Sequence, residues 1–212
     1  MFYAISKRTI DLIGALVLLV LFSPIFLLTA ILIKLTSPGP ILADVPKRLG
    51  RGGKPFHIYK FRSMIVNAHQ LLRTDPKFRK AYKEFRGPKY KLLVDPRVTN
   101  IGKFIRKHSI DEIPQLMNVL IGDMSIVGPR PYYQEELEFQ QKQYPLAPSL
   151  IKEVLTVKPG ITGFWQVSGR SEVNFDKRIE MDAYYARKRS IFLDFLILLK
   201  TPWAMISGKG AV

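Results

Sequence analysis

From Leu12 to Ile33 the chain reads LIGALVLLVLFSPIFLLTAILI, without one charged residue. About 20 apolar residues in a helix are enough to cross the hydrocarbon of a bilayer. A buried helix of a soluble protein keeps a polar stripe, and this run is apolar on every face. A cleaved leader has a shorter apolar core followed by a small-residue cleavage site, and neither is found here. The run therefore makes the chain a membrane-bound protein and leaves one question, whether the helix spans or turns back.

Ser23-Pro24 stands at its middle. Pro24 brings no amide hydrogen, so a carbonyl one turn earlier loses its partner and the ring favours a kink. Ser23 can return a hydroxyl to a freed carbonyl. Each half, at about 1.5 Å per residue, reaches only about 16 Å. Lys7 and Arg8 precede the run, and Lys34, Lys47 and Arg48 follow it. Basic residues at both ends favour placing both in the cytoplasm. A proline-kinked spanning helix and a re-entrant helix broken at Ser23 and Pro24 both satisfy these constraints.

Outward from this run the chain is basic. Its 212 residues carry 33 Lys and Arg against 17 Asp and Glu, a net charge of +16. That excess calls for an anionic partner: nucleic acid, an acidic membrane face or a phosphorylated substrate. With no cysteine, disulfides, thiol nucleophiles and zinc-thiolate sites are excluded. His57, His69 and His108 are too widely spaced to suggest a histidine metal cluster.

Thr36-Ser37-Pro38-Gly39-Pro40 ends the membrane segment. Arg48-Leu49-Gly50-Arg51-Gly52-Gly53-Lys54-Pro55 reads as a hairpin loop between short strands at Ile41-Leu42 and 56–61, or as a loop whose amides and cations approach phosphate or lipid headgroups. It lacks the spacing of a P-loop. A helix is expected from Met64 to about Arg73, with a break at Asp75-Pro76. A basic amphipathic helix then runs to Phe85 and lies either on the bilayer surface or in solvent. Tyr132 to Tyr144 reads as a polar helix. The last apolar stretch, Ile191 to Ile206, is interrupted by Asp194, Lys200 and Pro202, which fits an interfacial or core helix better than a second span.

The densest polar stretch is His108-Ser109-Ile110-Asp111-Glu112-Ile113-Pro114-Gln115-Leu116, followed by Gly122-Asp123-Met124-Ser125-Ile126-Val127-Gly128-Pro129-Arg130-Pro131. An acidic pair among cations suits a site that handles phosphate with a divalent metal: carboxylates and phosphate oxygens hold the metal, and arginines clamp the remaining charge. Helical neighbours point about 100° apart, so the two carboxylates have separate tasks rather than a shared proton. Either Ser109 and Glu112 form a capping box, or Asp111 caps the helix and leaves Pro114 in its first turn.

Three further elements stand out: Lys60-Phe61-Arg62-Ser63-Met64, the run from Asp95-Pro96-Arg97 to Phe104-Ile105-Arg106, and Lys158-Pro159-Gly160-Ile161-Thr162-Gly163-Phe164-Trp165-Gln166-Val167-Ser168-Gly169-Arg170. With the acidic stretch they make the chain resemble, over essentially its whole length, the bacterial sugar transferases known as monotopic phosphoglycosyl transferases. The resemblance implies a mainly α fold with short β elements. It implies a re-entrant membrane helix over residues 1–36 and a cytoplasmic catalytic domain with interfacial helices over 37–212. It also implies transfer of a sugar-1-phosphate from a UDP-sugar to polyprenyl (undecaprenyl) phosphate, with release of UMP. In the family pattern Asp111 is the nucleophile and Glu112 holds Mg2+. Arg106 contacts the lipid phosphate, while Arg130 with Pro131 contacts a substrate phosphate. Lys60 stabilises phosphate charge, Arg170 contacts the nucleotide, and Asp182 lines the site. Pro46-Lys47-Arg48-Leu49-Gly50 departs from the family's Gln-x-Arg-x-Gly, and the glutamine is replaced.

The partners expected are the UDP-sugar, polyprenyl phosphate and the anionic lipids of the inner leaflet, without nucleic acid. The place expected is the cytoplasmic face of the bacterial inner membrane. The tail from Gly169 to Asp176 resembles the glucose or galactose transferring members, and an N-acetylated or diacetamido sugar is the alternative. The product would begin an exopolysaccharide, O-antigen or capsule. Nothing in the pattern fixes an oligomeric state. The rival class is a membrane-anchored basic module for nucleic acid or anionic lipid. Charge alone supports it, and no nucleic-acid motif does.

Overall fold

A computed structural model describes residues 2–85, 92, 94–169 and 173–206. The fold is mainly helical with a few two- and three-residue strands. Helix α1, Phe2–Thr36, is long and apolar enough to cross a bilayer, and most of its side chains are exposed. It is not interrupted at Pro24; the helix runs through the proline. The reason is local: Ser23 Oγ donates to Val20 O at 2.7 Å, the carbonyl that the missing Pro24 amide would have served.

A hairpin follows, as expected from its glycines. Strand β1, Arg48–Leu49, pairs antiparallel with β2, Pro55–Phe56, and Leu42 bridges to Phe61 further out. Helix α2, Ala68–Thr74, starts four residues later than expected, because Asn67 takes a left-handed conformation. Asp75 accepts from the Lys77 amide and starts the turn Pro76–Phe78, which leads into α3, Arg79–Phe85. The apolar residues of this segment are covered by protein: Phe78 is buried with Leu72 and Leu92, and Tyr82 and Phe85 pack against them.

Helix α4, Asn100–Lys107, is capped by Thr99, whose Oγ1 accepts from the Gly102 amide. Gly102 lets α4 rest on the chain at Ser63, where a Cβ would come within 1.9 Å of the Ser63 carbonyl oxygen. Helix α5, Gln115–Ile121, then leads to β3, Ser125–Val127. Helices α6, Gln134–Gln141, and α7, Ala147–Val154, precede β4, Gly160–Thr162, which lies parallel to β3 with Ser125 opposite Gly160. A Cβ on Gly160 would stand 2.0 Å from the Gly128 nitrogen, so glycine is required at the start of β4, where Gly128 passes close. Helices α8, Phe164–Ser168, α9, Phe175–Lys188, and α10, Ile191–Ile206, complete the chain.

The main core joins α1, α5, β3 and α10 through Ala15, Leu116, Val119, Ile126, Tyr185 and Ile197. A second cluster packs α6 and α7 on α9 through Leu137, Ile151, Phe175 and Ile179. A third seats the far end of α1 on α4, with Ile33 against Phe61 and Ile105. Both arms of α1 are thus built into the same body. The N-terminal arm adds polar ties: Lys7 Nζ lies 3.0 Å from Asp194, Asp11 accepts from Ser125 Oγ and the Ile126 amide, and Arg8 donates to Val119 O and Leu120 O. Asp194, an interruption in the last apolar stretch, is the buried partner of Lys7 and of the Tyr185 hydroxyl.

Candidate active site

Asp111 and Glu112 sit in a single 3-10 turn, Ile110–Glu112, between α4 and α5. Neither expected cap forms. Ser109 is left-handed at φ 56° and makes no side-chain cap, and α5 starts at Gln115 without a side-chain cap from Pro114. The left-handed residue ends α4 and turns the chain sharply, which frees both carboxylates from capping.

Asp111 is buried, and the Asp111 carbonyl accepts from the Phe61 amide at 3.0 Å. This bond sets Lys60 beside the acidic pair. Lys60 Nζ lies 2.6 Å from Glu112 Oε1 and 3.9 Å from Asp111 Oδ2. Burial pushes the Asp111 carboxyl up to about 6; Lys60 and Arg106 oppose this shift and Glu112 adds to it. Arg62, two residues beyond Lys60, has a structural task, with its guanidinium on Ser37 Oγ and the Ser37 carbonyl.

These groups line a cavity of about 960 Å³. Its polar walls carry Lys60, Arg106, Asp111, Glu112, Arg130 and Pro131, so the structure brings six of the expected site residues together. Its apolar walls come from Leu18 and Phe22 of α1 and from Leu198, Pro202 and Met205 of α10. Arg170 lies outside the described residues. Asp182 is wholly buried and is not among the lining residues. It sits behind the wall and accepts from the Arg130 amide at 3.2 Å and the Tyr132 hydroxyl at 2.8 Å. Burial raises the Asp182 carboxyl to about 7 against the opposing pull of those donors and of Arg178.

The parallel pair β3–β4 explains how distant motifs meet. Each strand leads into a loop at the same end of the ladder, so Arg130 follows β3 while Trp165 and Gln166 follow β4. The Arg130 guanidinium carbon lies 5.3 Å from the Trp165 ring centre. The lining also includes residues that sequence reading did not assign to the site. Arg48 stacks 3.2 Å over the Tyr133 ring, and Arg178 is ion-paired with Glu136 at 2.8 Å in the buried wall. Arg48 had a signal in its basic glycine-rich turn. Glu136 and Arg178 are 42 positions apart and had none.

The donor set suits a hard cation. Glu112 offers a partly exposed carboxylate next to Asp111, and magnesium typically takes one or two carboxylates together with phosphate oxygens and water. Among the described residues no three acidic or histidine side chains converge to form a closed cage.

The bacterial sugar transferase family profile matches residues 2–208. The chain belongs to the bacterial sugar transferase family. It is 41% identical over 209 residues to a UDP-galactose-lipid carrier transferase of Erwinia amylovora, covering 97% of this chain and 41% of that protein. It is 40% identical over 209 residues to an undecaprenyl-phosphate galactose phosphotransferase of Salmonella typhimurium, with coverage of 97% and 41%. It is 40% identical over 210 residues to the exopolysaccharide production protein ExoY of Rhizobium meliloti, covering 97% of this chain and 88% of that one. The chain thus spans about two fifths of the first two relatives and most of the third.

Proposed function

We propose that this chain transfers a sugar-1-phosphate from a UDP-sugar to polyprenyl phosphate and releases UMP. The observation that carries the reading is Asp111. It is a buried carboxylate held beside Lys60 and Glu112 in a cavity whose walls are arginine-rich in one part and apolar in another. The names of the relatives support the same substrates: a lipid carrier, undecaprenyl phosphate and a UDP-sugar.

An Asp111 oxygen attacks the phosphorus that bears the sugar. The bond from that phosphorus to the bridging oxygen breaks, and UMP departs with the electron pair. An acyl phosphate between Asp111 and the phosphosugar remains. A phosphate oxygen of the lipid acceptor then attacks the same phosphorus, giving polyprenyl diphosphate sugar and restoring the carboxylate. One hard displacement becomes two easier ones. Lys60 offsets negative charge near Asp111 and orients Glu112, while Arg106 and Arg130 hold substrate phosphate. Glu112 would hold magnesium, which neutralises diphosphate charge when bound.

The membrane part of the reading rests on exposure and anchoring. Val20, Leu21, Leu27 and Leu28 of α1 and Phe192, Phe195, Leu199 and Trp203 of α10 stand exposed, as lipid-facing residues do. The N-terminal arm of α1 is tied by Lys7, Arg8 and Asp11 to the body that carries the site. That supports a monotopic protein with its N-terminus and active site on the cytoplasmic face of the bacterial inner membrane. Residues 1–36 enter the bilayer and 37–212 carry the chemistry. Glucose or galactose is the sugar we favour, in line with the galactose-named relatives, and an acetamido sugar is the alternative.

UMP release from a UDP-sugar in the presence of polyprenyl phosphate tests the proposal. Release that disappears in Asp111→Asn supports it; no release with any UDP-sugar, or full release by Asp111→Asn, refutes it.

A further inference from the structure

Several cations in the cavity wall have a carboxylate beside them. Among the described residues, Lys60 has Glu112, Arg97 has Asp95 at 2.6 Å, and Arg178 has Glu136. Arg48 and Arg130 make no ion pair among the described residues, although both line the cavity. Arg48 is only 7% exposed. Its Nη1 donates to the Pro131 carbonyl at 3.1 Å and its plane lies on Tyr133, yet its Nε is buried without a partner. Arg130 Nε is buried without a partner as well.

The two guanidiniums are placed together by backbone. The Leu49 amide donates to the Tyr132 carbonyl at 2.9 Å, so the strand that carries Arg48 is fastened to the loop that carries Arg130. Burial chiefly, with Arg130 adding to it, pushes the Arg48 guanidinium below its ordinary value, against Tyr133, Glu136 and Glu112, which favour its charge. The nearby field is positive enough that burial, together with Arg97 and Arg48, pushes His69 down to about 4.

A buried guanidinium without an ion pair, and a second one with a buried Nε in the same cavity wall, are costly unless something anionic reaches them. A guanidinium fork matches phosphate oxygens bidentately. We infer that Arg48 is a ligand of the donor's diphosphate and shares it with Arg130. The identity of that anion rests on the transferase reading. A donor with two linked phosphates suits two forks in one cavity wall, whereas the acceptor brings one phosphate, and Arg106 on α4, whose charge acts on Asp111, remains to receive it. The ring of Tyr133 keeps the Arg48 fork flat in the cavity wall.

The test uses the full chain in detergent or nanodiscs and magnesium UDP as the probe, by calorimetry. Arg48→Lys keeps the charge and removes the fork; Arg48→Met removes both. The affinity for magnesium UDP should fall about tenfold in Arg48→Lys and further in Arg48→Met. The KM for polyprenyl phosphate should stay within about twofold, because the acceptor does not use this group. If Arg48→Met melts early, Arg48→Lys with a wild-type melting curve carries the test. Unchanged UDP affinity overturns the inference. So does a rise in the acceptor KM alone, which would move Arg48 to the lipid phosphate. UDP binding that depends on Arg48 in a protein that releases UMP from no UDP-sugar would sink the transfer reaction and leave the clamp standing.

Discussion

Lys60 Nζ lies 2.6 Å from Glu112 Oε1, and this one contact links the two halves of the proposed chemistry. The ammonium occupies the carboxylate that would hold magnesium. It therefore competes with the metal at rest and stabilises phosphate charge when substrate is bound. Lys60→Met should lower turnover about 10²-fold, the order seen when one stabiliser of transition-state charge is lost. The same variant should reach half-maximal activity at a lower magnesium concentration than wild type. Turnover and the magnesium titration are read in one assay. An unchanged turnover would remove Lys60 from the site.

Lys7 is partly buried between two buried carboxylates, 3.0 Å from Asp194 and 3.5 Å from Asp11. Lys7→Met leaves both without that cation and should destabilise the fold by about 3–5 kcal/mol, as for a broken buried pair. Arg73 and Glu135 are also 2.6 Å apart, but both are largely exposed. Arg73→Met should therefore stay within about 1 kcal/mol. Thermal unfolding in nanodiscs compares the two, and equal shifts would contradict the role given to the N-terminal arm.

Asp182 supplies a pH signature. Its carboxyl is raised to about 7 in the fold, chiefly by burial, above its ordinary value. The folded chain holds that proton more tightly than the unfolded one. The stabilisation is complete below the ordinary carboxylate range and is lost as pH rises through about 7. The melting temperature of wild type should therefore fall between about pH 5 and about pH 8. Asp182→Asn should fall less, since the amide oxygen still accepts from Tyr132 and has no proton to lose. Parallel curves would show that Asp182 stays ionised.

The site was legible where chemistry is concentrated in the chain. Asp111 and Glu112 are adjacent, Arg106 and Arg130 flank them within one stretch, and the structure gathers all four with Lys60 around one cavity. The mainly α fold followed from the family resemblance, and the turn at Arg48–Pro55 was legible from its glycines. What was not legible depends on long-range contacts. Lys7 meets Asp194 across the whole fold, and Asp182 lies behind Arg130 only because α9 packs under the loop. Ser109 read as a cap because its spacing to Glu112 fits one, yet a left-handed backbone overrides the pattern. Pro24 read as a break, and a single hydroxyl bond at Ser23 carries the helix past it.

Topology follows from the two anchored arms. In intact cells, single cysteines at Phe2 and at the exposed Lys177 should both resist an impermeant thiol reagent and react after lysis. The chain has no native cysteine to blur the result. Because α1 already runs through Pro24 and Lys7, Arg8 and Asp11 hold its N-terminal arm, Pro24→Ala should leave the label at position 2 unmoved. Reaction of the position-2 cysteine from outside in the otherwise native chain would mean that α1 spans.

The covalent step is the centre of the proposed reaction. The purified chain is incubated with UDP-sugar and magnesium but without lipid acceptor, and its intact mass is measured. The expected result is a mass increase of one phosphosugar, located at Asp111 by peptide mapping and absent in Asp111→Asn. An unmodified protein that releases UMP only when polyprenyl phosphate is added would contradict it, since the acceptor would then attack the donor directly.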